Sequence, residues 1–62
     1  MFDMTQQFND AVKNPEYWEN GEICFGDIHN HLFKIAERSG VDQADFEFDF
    51  IVLEEKYNNK LN

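Results

Sequence analysis

The sequence predicts a mainly α fold, a small three-helix domain made of two longer helices plus an N-terminal helix and a short aromatic turn. Three observations carry this. Apolar residues recur at helical spacing in three stretches, which start at Met4, Ile28 and Phe46. Chain-breaking chemistry divides the stretches: Asn14-Pro15 and Asn20-Gly21 after the first, and Gly40 after the second. The composition is 42% hydrophobic and 16% aromatic, enough to drive collapse despite a formal net charge of −8. Sixty-two residues make one domain at most. A chain this short hides only roughly 60% of the surface its unfolded form exposes, so its stability is thin.

The first helix is expected over Met4 to Lys13, because Met4, Phe8, Ala11 and Val12 fall at i, i+4, i+7 and i+8 and Asp3 with Gln6 forms a capping pair. Asn14-Pro15 ends it, since proline disfavours helix in the residue before it. The same pair starts a short turn, with Asn14 as cap, Pro15 in the first position and Asn20-Gly21 as terminator. Tyr17 and Trp18 ride on this turn and are expected to lid the core. Residues Glu22 to Gly26 read as a connector, because an isolated strand there has nothing evident to pair with.

Asp27 is expected to cap the second helix. Ile28, Leu32, Ile35 and Ala36 repeat the helical pattern, Lys34 and Arg38 complement the dipole late in the helix, and Gly40 closes it in the left-handed conformation. The third helix starts with Asp42 as N-cap and Asp45 at N3, and Val41 clamps against Phe46 as a hydrophobic staple. A strand competes, because Phe46, Phe48, Phe50 and Val52 alternate with Glu47, Asp49 and Ile51. Phe46, Phe50, Leu53, Tyr57 and Leu61 nevertheless share an arc of ~80° at 100° per residue, and the continuation EEKYNNK favours helix. The tail NNKLN is expected to fray.

The segment FKIAERSGVDQADF resembles the turn region of a helix-turn-helix, with Ile35, Ala36, Gly40, Val41 and Phe46 at the small, turn and apolar positions. The resemblance implies helix-turn-helix-like packing without DNA-binding charge. Where a recognition helix needs basic and amide side chains, this chain has Asp42, Asp45, Glu47 and Asp49. Thirteen acidic against five basic residues oppose binding to nucleic acid or anionic lipid.

Chemistry-bearing groups are few. Cys24, Asp27 and His31 have ligand-like spacing, but no fourth ligand is evident and no metal or other cofactor is expected. Cys24 with His29 or His31 lacks an orienting third group, and so short a chain is expected to leave little room for even a ~300 Å³ pocket, so no catalytic residue is expected and the protein is read as not an enzyme. No apolar run approaches the ~20 residues of a bilayer span, and the opening residues MFDMTQQF lack signal-peptide chemistry, so a cytoplasmic location is expected.

The third helix stands out instead. Ala44, Phe48 and Ile51 project about 140° to 200° from its core stripe and form a second apolar patch edged by Asp45, Glu47 and Glu55. The competing reading buries both sides of the helix under the first helix and the aromatic turn. The expected partner-binding residues are Asp42, Asp45, Glu47, Phe48, Asp49, Ile51, Glu54 and Glu55, meeting a positively charged protein surface. In composition the chain resembles the small acidic inhibitors that phages and mobile elements deploy against nucleases, CRISPR effectors, restriction enzymes or transcription machinery. That resemblance implies nucleic-acid mimicry. The alternative is a homodimeric structural or regulatory accessory subunit, self-paired through Ala44, Phe48 and Ile51.

Overall fold

The computed structural model describes residues 2–61, with side chains to residue 60. Three helices, α1 (Met4–Lys13), α2 (Phe25–Arg38) and α3 (Gln43–Leu61), surround one apolar core, and a two-stranded hairpin joins the first two. The fold is the expected mainly helical three-helix domain. The core takes Phe8 and Ala11 from α1, Ile28, Leu32 and Ala36 from α2, and Phe46 and Phe50 from α3. Leu61 continues the helix, but its side chain lies outside the described residues.

α1 has its expected bounds. The Asp3 carboxylate accepts the Gln6 backbone N–H at 3.2 Å, satisfying one of the free donors of the first turn. At the other end, Asn14 leaves the helix in extended conformation and its side chain accepts the Glu16 N–H, which starts a 3₁₀ turn over Pro15–Tyr17. Tyr17 is half-buried and packs on the core, as expected. Trp18 is not a lid. It is 38% exposed, and its indole N–H donates to the Val12 carbonyl at 2.8 Å, tying the hairpin to the last turn of α1.

Residues 22 and 23 correct the expected connector. Strands β1 (Trp18–Glu19) and β2 (Glu22–Ile23) pair antiparallel, with Trp18 opposite Ile23. Asn20 and Gly21 both have positive φ, +54° and +81°, the backbone that a two-residue turn of matching twist requires. The Asn-Gly pair is therefore the hairpin's turn and not the terminator of a helical segment.

The hairpin also moves the start of α2 forward. The helix begins at Phe25 with Cys24 as cap and no capping side-chain bond, so Asp27 lies inside the first turn, where it faces the positive end of the dipole. Gly40 closes α2 as expected, at φ +83°. The Gly40 and Val41 N–H groups donate to the Glu37 and Ala36 carbonyls at 3.1 and 3.0 Å, the paired bonds of a Schellman turn. No atom lies within 4 Å of a Cβ built at Gly40, so substitution there costs only backbone strain. Gly40→Ala should lower stability by about 1–2 kcal/mol, and Gly40→Asn by less, as a shift of denaturant midpoint at unchanged slope.

Beyond this turn the Asp42 carbonyl accepts the Phe46 N–H at 2.9 Å and α3 runs on through residue 61. The strand alternative is thereby overturned; of the tail expected to fray, residues 58–61 continue the helix and Asn62 lies outside the described residues. The reason is the core stripe: Phe46 and Phe50 are buried and Tyr57 half-buried, one helical face against both other helices.

Candidate functional site

Among the described residues no buried side chain is polar or charged, so the chemistry of this domain lies on its surface. α3 sets that surface, because its apolar residues occupy two faces. Phe46 and Phe50 are 1% and 5% exposed, whereas Phe48 and Ile51 are 69% and 52% exposed. At 100° per residue Phe48 lies about 160° from both Phe46 and Phe50, so packing that buries one pair leaves the other in water. The even choice between a covered and an open second face is settled as open. Both α1 and α2 pack on the Phe46 side, and Ala44 is exposed along with Phe48 and Ile51.

The three form a stripe at i, i+4 and i+7, lengthened by Glu55 at i+11. Glu47 and Glu54 flank one edge and Asp45 the other, all at the angles that helical geometry sets. Asp42 and Asp49 are brought elsewhere. Asp49 sits toward the core side and lines a recess of about 520 Å³ with Asp3, Phe2 and Val41, and Asp42 lies before the first helical turn. The six carboxylates thus fan around α3 and do not form one row.

Glu47 has a second role that sequence reasoning missed. Its Oε1 lies 2.6 Å from His29 Nε2, joining α3 to α2 across a half-buried boundary. The imidazole is held by rings on three sides, stacked on Phe33 and edge-on to Phe46 and Phe50 at centroid distances of 5.2 and 5.0 Å. Nothing local in the sequence marks this contact, which spans 18 positions. One carboxylate oxygen of Glu47 is therefore engaged internally, whereas Asp45, Glu54 and Glu55 of the stripe make no such bond among the described residues.

The residues with ligand-like spacing lie apart from this face. Among the described residues Cys24, Asp27 and His31 do not form a metal-binding group. Asp27 and His31 are exposed, and the His31 ring stands 6.0 Å from that of Tyr17. The expectation of no pocket near 300 Å³ needs correction, because open recesses of about 520 and 710 Å³ lie between α1 and α3. These are crevices between short helices, open to solvent, which a count of interior volume overlooks. No described helix is long and apolar enough to cross a membrane. No protein family, curated protein or solved structure matches the chain.

Proposed function

We propose that this protein is a small acidic protein-binding inhibitor that docks the outer face of α3 on a positively charged surface of a nucleic-acid-binding protein and occludes it. The observation that carries the reading is the exposure of Phe48 and Ile51 on a helix whose Phe46 and Phe50 are buried in the core, with carboxylates at both edges. An apolar centre supplies desolvated anchors, and an anionic rim steers association and excludes partners of like charge. Strict imitation of duplex phosphates is the weaker part. Residues 42 to 55 rise ~20 Å and hold six carboxylates, where the same length of duplex holds ~12 phosphates. The reading is a basic protein surface with an apolar centre, and enzymatic activity is no part of it.

The accessory-subunit alternative meets an electrostatic objection. Residues 43–55 contain no Lys or Arg, so a second copy using the same span brings carboxylates without compensating cations.

The test is capture from a host lysate at low and high salt, followed by kinetics on the captured protein. Capture should fail at high salt and be displaced by duplex DNA. Asp45→Lys with Glu55→Lys should slow association by about tenfold, whereas Phe48→Ala should chiefly speed dissociation. Glu47 is left intact in this design, because reversing it breaks the bond to His29. Capture that is indifferent to salt, DNA and all three substitutions contradicts the reading. A tight, concentration-dependent dimer in sedimentation favours the accessory subunit.

A further inference from the structure

On the side of α3 opposite Phe48, a groove of about 710 Å³ runs between α1 and the last turns of α3. Its floor is apolar, formed by Phe8, Val12, Leu53 and Tyr57. Its edges carry Lys13, Lys56 and Lys60, three of the five basic residues of the chain, and none of the 13 acidic residues lines it. All three lysines are exposed, and among the described residues none is ion-paired. Helix-dipole compensation accounts for Lys13 and Lys60, which lie in last turns. It accounts neither for Lys56, one turn earlier on the same edge as Lys60, nor for the absence of carboxylates in so acidic a chain.

We propose that this groove binds a single-chain anionic amphiphile of the long-chain carboxylate type, its tail along the Phe8–Tyr57 floor and its carboxylate among the three ammonium groups. Two quantities favour a small monoanion over an acidic protein segment. The volume falls within the roughly 300–1,000 Å³ range of small-molecule sites. The net charge of −8 also repels an incoming ligand in proportion to the ligand's own negative charge, which is least for a monoanion. The inference is independent of the inhibitor reading, since the two sites lie on opposite faces of α3.

Amide NMR of the full chain, titrated with decanoate below its micelle concentration, tests the proposal. One saturable set of shifts should appear at Thr5, Asn9, Val12, Leu53 and Tyr57, and Trp18 fluorescence should respond, because the indole is bonded to the Val12 carbonyl. Decanol, of equal length and no charge, should bind at least about tenfold more weakly, and so should decanoate to the Lys56→Glu/Lys60→Glu variant once circular dichroism shows it folded. Shifts centred on Ala44, Phe48 and Ile51, absence of saturation, or equal binding of decanol overturns the proposal. So does an acidic amphipathic peptide that fills the groove more tightly than decanoate, which reassigns it to a protein partner.

Discussion

Phe46→Ala should remove from about a third to all of the folding free energy, while Phe48→Ala, two residues along the same helix, should leave stability within about 0.5 kcal/mol of the parent. Phe46 is 1% exposed and packs against the rings of His29, Phe33 and Phe50, at centroid distances of 5.2, 5.5 and 5.9 Å. Removing a ring from such a site costs about 3–5 kcal/mol, in transfer energy and in the cavity left behind. A domain of this length has about 3–9 kcal/mol in total. The melting midpoint should therefore fall by more than about 12 °C, read by circular dichroism. Phe48 is 69% exposed, and alanine is the better helix former, so its replacement is neutral or slightly stabilising. A strand would have put both rings on one face with similar costs. Equal destabilisation by the two substitutions would mean that the outer face of α3 is covered.

The same pair of residues shows what was legible before the structure. Helical periodicity places Phe46 and Phe48 on opposite faces, and caps and breakers at Asp3, Asn14 and Gly40 mark ends that the structure keeps. Each helix thus carried two independent signals, spacing and termini. Whether the second face of α3 is covered was not legible, because that depends on where α1 and α2 pack. At 10 residues α1 spans ~15 Å against ~28 Å for the 19 residues of α3, and it lies beside α2 on the Phe46 side. The hairpin was legible but misread. Asn20-Gly21 is a strong turn signal, yet strands of two residues are too short to show alternation, so the dipeptide read as a stop. Asp27 was misplaced for a related reason: an acidic residue suits both the cap and the first turn, and only the hairpin's geometry decides which.

The candidate sites divide in the same way. Composition showed an acidic chain, and spacing showed the Ala44, Phe48 and Ile51 stripe. Neither revealed that the basic residues cluster, since Lys13 and Lys60 lie 47 positions apart in sequence and meet only through the packing of α1 on α3. The result is a segregated surface. Carboxylates edge the outer stripe of α3 and the recess near Asp3 and Asp49, whereas the lysines edge the groove at the other end of α1. Because both helices carry a basic residue in the last turn, their dipoles and side-chain charges reinforce this arrangement and do not oppose it.

Phe8→Ala should be nearly as damaging as Phe46→Ala, and it should unfold the whole domain and not α1 alone. Phe8 is 2% exposed and meets Phe25, Phe50 and Tyr57 at centroid distances of 6.1, 5.5 and 6.5 Å, so it is the ring through which α1 holds both other helices. A ten-residue helix is marginal by itself, so α1 forms because it docks. Without it, the remaining α2–α3 pair spans 37 residues from Phe25 to Leu61, below the length of about 40 at which a domain usually needs a disulfide, metal or partner to fold. The chain's lone Cys24 lies just before that span, which therefore has no cysteine with which to form a disulfide. Hydrogen exchange should accordingly show protection lost together in α1, α2 and α3, with stability lowered by about 3–5 kcal/mol. Phe8→Leu, which keeps most of the volume, should cost under about 1.5 kcal/mol. Retained protection in α2 and α3 after α1 has melted would make the core a helical hairpin with a loosely attached first helix, and the groove beside Tyr57 would then have no permanent second wall.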